Sequence, residues 1–404
     1  MNVHLPLLHA YPFERLRQLF SGITPDTHYS PISLGIGEPR HATPDLIKQA
    51  YCKAIEGTGL AAYPATAGEA ALRDAIAHWL QQRYQLAVRA SDQILPVNGS
   101  REALFAFAQT VISSTPGQPK PLVLCPNPFY QIYEGAALLA GAEPYYVASV
   151  PERNFAPDWA SVPDAVWART QLLFVCSPGN PAGAVMPLAE WKILFELSDR
   201  HGFVIASDEC YSEIYFRDTP PLGGLEAAAQ LGRADFKNLV AFTSLSKRSN
   251  VPGMRSGFCA GDVALMTQFL RYRTYHGSAM SPVVQSASIA AWQDEKHVVE
   301  NRALYREKFH AVTPVLAKVL DVRLPDAGFY LWAKVKGSDE EFARALYAAY
   351  NVTVLPGSYL ARSAQGHNPG AGYVRMALVA QTAECLEAAH RIAAFVRAAQ
   401  EPQT

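Results

Sequence analysis

Lys247 stands behind Thr243, Ser244, Leu245 and Ser246 at the end of an apolar run, and Arg255 follows eight residues later. A lysine that only solubilises a surface needs neither small hydroxyl neighbours nor a Pro252-Gly253 pair and a second cation in the same loop. Upstream, Asp208 closes the run FVIASD, Tyr211 follows three residues on, and Asn180 sits in SPGNPAG. Each has an ordinary role when taken singly: a solvated loop lysine, a helix cap, a turn asparagine, a core aromatic with a polar tip. The chemistry open to them together is that of a lysine imine. A free lysine, with a pKa near ~10.4, is a poor nucleophile at neutral pH, so a lysine placed for chemistry is one held as a C=N bond and exchanged for a substrate amine.

These residues have to be positioned by something regular. Between about residues 95 and 260, short apolar runs alternate with segments of helical period, the pattern of a parallel sheet covered by helices on both faces. The runs are PLVLC (121–125), QLLFVC (171–176), FVIASD (203–208), NLVAFTS (238–244) and RSGFCAGD (255–262). Four of them lead into the polar clusters PNPFY, SPGNPAG, SDECY and TSLSK, and in an open α/β sheet ligands sit beyond the carboxyl ends of strands. The segment 99–112 carries Leu104, Phe107, Ala108 and Val111 at helical spacing behind Gly99 and Ser100, so its first amides suit a phosphate. Past residue 300, RLPDAGFYLWAKV and YVRMALV alternate with amphipathic helices, which predicts a second, α+β unit.

Composition narrows the class. With 404 residues, 49% hydrophobic and 18% charged, the chain can bury a large core in two or three domains. Lys+Arg 35 against Asp+Glu 36 leaves no basic field for nucleic acid. Six dispersed cysteines, none at metal-ligand spacing with a histidine, predict reduced thiols and no metal site. The N-terminus shows no secretory leader, and no apolar run is long enough to span a membrane, so the expected compartment is the cytoplasm.

The single roles fail together because one spacing supplies every part of a pyridoxal phosphate site. Lys247 would form the imine and, once displaced, move a proton between the substrate's α-carbon and the cofactor. Asp208 would keep the pyridine nitrogen protonated, and Asn180 with Tyr211 would donate to the ring's phenolate oxygen. Arg255, Ser244, Ser100 and the amides of residues 99–101 would hold the phosphate. The lysine and the arginine thus serve opposite ends of one cofactor.

The order Ser244, Ser246, Lys247, Asn250, Gly253, Arg255, Gly257, with NPAG and SDECY upstream, resembles the class I/II aminotransferases, fold type I pyridoxal phosphate enzymes. The resemblance covers nearly the whole chain. It implies an α/β fold: an N-terminal arm and part of a small domain over 1–47, a large domain over 48–290 on a mostly parallel seven-stranded sheet, and a smaller α+β domain over 291–404. It makes Tyr130 of PNPFY the aromatic plate over the ring, adds Gly99, Ser100 and Arg101 to the cofactor site, and matches Gly37 and Arg375 to the substrate carboxylate. Asn180 is shared between cofactor and substrate. Tyr63 of YPATAG matches a residue that reaches the neighbouring subunit's phosphate, which implies a homodimer with shared sites. Ala182 and the pair Ser100-Arg101 depart from the family's usual threonine and Gly-Lys, at positions that contribute mainly backbone.

Within that family the motifs HAYPFERLRQLF, LGIGEPRHATP and SLSKRSNVPGMRSGF look most like enzymes that exchange an amino group between glutamate and N-succinyl-2-amino-6-oxopimelate in bacterial lysine synthesis. Such a substrate needs a second anion site, for which Arg40, Arg101 and Arg362 are candidates. The rivals are another amino acid, such as alanine, aspartate, acetylornithine or an aromatic one, and C–S lyase chemistry on the same lysine. A cofactor-binding regulator ranks last, since no DNA-binding domain precedes residue 30.

Overall fold

The computed structural model describes residues 1–400. Its main sheet runs, edge to edge, through Ile94–Val97, Gly257–Gly261, Leu239–Ser244, Val204–Asp208, Thr170–Cys176, Leu122–Asn127, Glu143–Val150 and Ala156–Pro157. The seven strands expected become eight because the two-residue Ala156–Pro157 adds an antiparallel edge beside Glu143–Val150. The five strands from Leu239–Ser244 to Glu143–Val150 are parallel, whereas Gly257–Gly261 runs antiparallel to both its neighbours.

The central strands read as unbroken apolar runs because both faces are covered. Leu239 and Ala241 enter one hydrophobic cluster, with Trp79, Phe203 and Trp292, while Val240 and Phe242 enter another, with Phe107, Val123 and Phe174. That is the two-residue alternation of a strand, with an apolar partner on each side. The connecting helices have local stops: Leu188–His201 ends at Gly202, whose φ of 80° is the left-handed cap that glycine adopts freely. Asp262 opens Val263–His276 by accepting from the amides of Ala264 at 2.8 Å and Leu265 at 3.3 Å.

A separate core gathers Tyr305, Phe309, Leu331, Val374 and Ile392 from the C-terminal part of the chain, joined by Ile32 and Leu34 from near its start. Its three-stranded sheet runs Tyr330–Lys334, Tyr373–Ala377, Leu355–Pro356, and Ile32–Ser33 pairs parallel with Val352–Thr353. The N-terminal segment is thereby tied to the C-terminal core before it crosses to the main sheet. No helix among the described residues is long and apolar enough to cross a membrane.

Candidate active site

Register brings the strand ends together. Cys176 pairs with Asp208 and Asp208 with Phe242, and the next amides still bond across: Ser177 N to Asp208 O at 3.1 Å, Glu209 N to Phe242 O at 2.8 Å. Beyond that level the chains diverge, leaving a cleft of about 490 Å³ lined by Gly37, Ser100, Arg101, Tyr130, Asn180, Asp208, Tyr211, Ser244, Lys247, Arg255 and Arg375.

Lys247 rides on the one-turn helix Leu245–Arg248, started by Ser244. Its Nζ donates to Gly37 O at 3.0 Å and stands 5.2 Å from the centre of the Phe329 ring. Burial, against a partial offset from Cys210, pulls its pKa down to about 8. About one amine in ten is then unprotonated at pH 7, against fewer than about one in a thousand for a free lysine. Asp208 is 5% exposed, accepts from Tyr133 Oη at 2.7 Å and from Cys210 N at 3.3 Å, and is pushed up by burial despite those bonds. Both donors are neutral, so the carboxylate keeps its demand for a cation.

At the other end of the cleft, the helix Ser100–Val111 starts at Gly99 with no side-chain cap, and its first amides are free to meet an anion. Gly99 has φ 86°, a backbone that favours glycine, and a Cβ there would push the Arg255 guanidinium, 2.2 Å away, out of its place beside the helix start. Arg255 itself is exposed, with Nη1 donating to Pro252 O at 2.9 Å. Ser244 lines the cleft as well: its Oγ accepts from Ser246 N at 3.1 Å and lies 2.9 Å from Ser246 Oγ and 3.1 Å from Ser256 O. By accepting from Ser246 N that hydroxyl starts the lysine turn while still lining the cleft, and Ser246 joins it on the cleft wall.

Arg375 comes from the middle of Tyr373–Ala377 and is 3% exposed. It donates from Nη1 to Asn180 Oδ1 at 3.0 Å and from Nη2 to Gly35 O at 3.0 Å, over the Tyr330 ring at 4.2 Å; its buried Nε has no partner. A Cβ on Gly37 would strike Tyr330 Oη at 1.9 Å, so only glycine lets the backbone pass this close. Tyr330 was missed in the sequence, as was Tyr133: both sit in apolar runs and resemble core aromatics until partners appear. Tyr211 Oη lies 3.1 Å from Tyr330 Oη. Of the two aromatics in PNPFY, Phe129 is buried and stacked on Tyr146, whereas Tyr130 lines the cleft and accepts from Arg101 Nε at 2.5 Å.

Tyr63, expected at a neighbouring subunit's phosphate, is fully exposed and away from this chain's cleft. Two candidate arginines lie elsewhere. Arg40 pairs with Glu384 at 3.4 Å, with both side chains partly solvated. Arg362 forks onto Glu134 at 2.8 and 2.6 Å. Of the arginines considered for a distal anion, only Arg101 reaches the cleft.

An amine, a buried carboxylate and an anion cradle at the ends of parallel strands define a carbonyl-cofactor enzyme of the α/β class. The model of aminotransferase class I and II matches residues 29–392. A crystallised aminotransferase from Neisseria meningitidis is 55% identical, with a TM-score of 0.94, covering 98% of this chain and 100% of that one. Aminotransferase AspB from Helicobacter pylori is 35% identical with a TM-score of 0.88 over 96% and 99%. The LL-diaminopimelate aminotransferase of Nitratidesulfovibrio vulgaris is 33% identical over 368 residues, 90% of each chain. The chain belongs to the class I and II aminotransferases. It is a transaminase whose cofactor is pyridoxal phosphate. The donor set fits that group: a buried carboxylate without a cation, a half-buried amine, and a glycine-started helix beside an exposed arginine.

Proposed function

We propose that the enzyme exchanges an amino group between glutamate and N-succinyl-2-amino-6-oxopimelate, the amino acid formed being N-succinyl-LL-diaminopimelate. The observation that carries the proposal is that, besides Arg255 at the phosphate end, the cleft holds two more guanidiniums, Arg375 buried and Arg101 exposed, matching a substrate with an anion at each end. A second reading, LL-diaminopimelate itself, draws on the names of the relatives and on Glu38, an exposed carboxylate on the same cleft suited to a distal ammonium.

Bound pyridoxal phosphate supplies an electron-accepting ring. Arg375 and Asn180 grip the substrate's α-carboxylate, with the Gly37 backbone alongside it. Lys247 Nζ takes the α-proton, a task its lowered pKa suits near neutral pH. Asp208 would keep a proton at the ring nitrogen, Tyr211 and Asn180 would donate to the ring oxygen, and Tyr130 would cover the ring. Arg255, Ser100, Ser244 and the amides of 99–101 would hold the phosphate. Tyr63, exposed here, serves the phosphate of a second copy, so the working unit is a homodimer. The domain division at 48 and 291 follows the same family pattern. Six free thiols suit a reducing cytoplasm.

Half-reaction spectra of the bound cofactor with glutamate, N-succinyl-LL-diaminopimelate, LL-diaminopimelate and alanine test the reading. Conversion by glutamate and the succinylated acid is expected. Conversion by LL-diaminopimelate but not its succinyl derivative would transfer the assignment to the second reading. Arg101→Ala should raise KM for the succinylated substrate about tenfold and leave that for glutamate within about twofold.

A further inference from the structure

Behind the cleft wall, polar groups are packed between the helix Lys296–Leu316 and the segment after Gly37. Asn301 and Lys308 stand two turns apart on one face of that helix, and are 3% and 1% exposed. Lys308 Nζ lies 2.9 Å from His41 Nε2, and His41 Nδ1 lies 2.8 Å from Asn301 Oδ1. Asn301 Nδ2 donates to the carbonyls of Lys247 at 3.2 Å and Arg248 at 3.3 Å, and Asn250 Nδ2 donates to Asn301 Oδ1 at 2.9 Å.

The donors set a direction. An ammonium has no acceptor, so His41 accepts at Nε2 and donates from Nδ1, which fixes a neutral tautomer. Burial lowers the pKa of His41, in keeping with a neutral ring. Asn301 then has one orientation: its oxygen receives two N–H groups and its amide points at the backbone of the lysine turn. Lys308 is faced by the Tyr305 ring at 4.8 Å and by the more distant Cys385, Glu307 and Glu384, the last paired with Arg40.

Lys247 is therefore gripped twice by one short stretch of chain. Its Nζ donates to Gly37 O, and its carbonyl is held through Asn301 by His41, four residues after Gly37. A shift of the 37–41 segment would reach the lysine at both ends.

We propose that Asn301, oriented by His41 and Lys308, is a positioning residue that fixes the backbone of Lys247 and couples it to the Gly37–His41 segment. This rests on Lys247 being the reactive amine. A slack lysine turn costs alignment in the transition state more than ground-state binding, so Asn301→Ala in the holoenzyme should lower kcat about tenfold and keep KM within about twofold. In cofactor-free protein, competitive acetylation of Lys247 followed by mass spectrometry reads the amine's pKa directly. It should rise by at least about half a unit in the variant, because a loosened side chain regains water.

Asn301→Asp keeps the acceptor facing His41 and removes the donor to Lys247, so it should behave as the alanine variant does and serves if that one fails to fold. Lys308→Met should act in the same direction, and the double variant should be no worse than Asn301→Ala, as expected for one chain of contacts. Folded variants with an unchanged labelling curve and kcat, or losses that multiply in the double variant, would overturn the proposal. Activity surviving Lys247→Ala would instead remove the role of the lysine itself.

Discussion

Two lysines in this molecule are brought to a pKa of about 8 by the same cause, loss of water, and they do different work. Lys247 opens onto the cleft, where its amine donates to a single backbone carbonyl and shares the walls with Asp208, Arg255 and Arg375. Lys308 is sealed between an imidazole and the Tyr305 ring and is 1% exposed. A perturbed amine marks a reactive centre only where a ligand can approach and where neighbouring groups answer the other charges of the reaction. At Lys308 the same perturbation is a cost of packing, carried in a hydrogen-bonded chain.

Removing each amine separates the two cases most sharply. Lys247→Ala should reduce turnover by at least about a thousandfold, and borohydride reduction of the loaded protein should leave no adduct on the chain. Lys308→Met should leave the adduct on Lys247 intact. The next effect belongs to Asp208: Asp208→Asn keeps the shape and removes the charge that the ring nitrogen needs, which should cost about a hundredfold in kcat, read in single-turnover experiments. Smaller again is Arg375→Lys. A point charge cannot keep the fork onto Asn180 and Gly35 while meeting a carboxylate, so KM for every amino donor should rise by roughly thirtyfold, about 2 kcal/mol.

Much of the cleft is legible in the sequence because strand ends of a parallel sheet must meet. Asn180, Asp208, Ser244 and Lys247 each follow a short apolar run, and the pairing of Cys176 with Asp208 and Asp208 with Phe242 brings those ends level. The helix after Gly99 showed itself by apolar spacing and spans Ser100–Val111. What stayed hidden depends on distant pairing. Arg40 and Arg362 look like free anion binders in sequence, yet their partners Glu384 and Glu134 are hundreds of residues away. Tyr133 and Tyr330 lie in apolar stretches where an aromatic is expected for packing alone. Asn301 and Lys308 gave only a two-turn spacing on a long helix, which does not distinguish a solvated face from a buried relay.

The gentlest way to tell the two lysines apart is to follow stability against pH in cofactor-free protein. A lysine with a folded pKa near about 8 and an unfolded one near ~10.4 binds fewer protons folded than unfolded between those values. Its contribution to stability therefore rises with pH across that window, and below it the full penalty of a buried charge is already present. Buried thiols and phenols such as Cys210 and Tyr211, with raised pKa values, act in the opposite sense at the alkaline end, so the total slope is mixed. Comparing wild type with Lys308→Met cancels those groups. The difference should move in the wild type's favour by up to about 1.4 kcal/mol per pH unit between about 8 and 10, measured by denaturant titration, and be level below about 7. A difference that is flat throughout would mean that Lys308 keeps an ordinary pKa in the folded chain and that its contact with His41 is made without the cost of burying a charge.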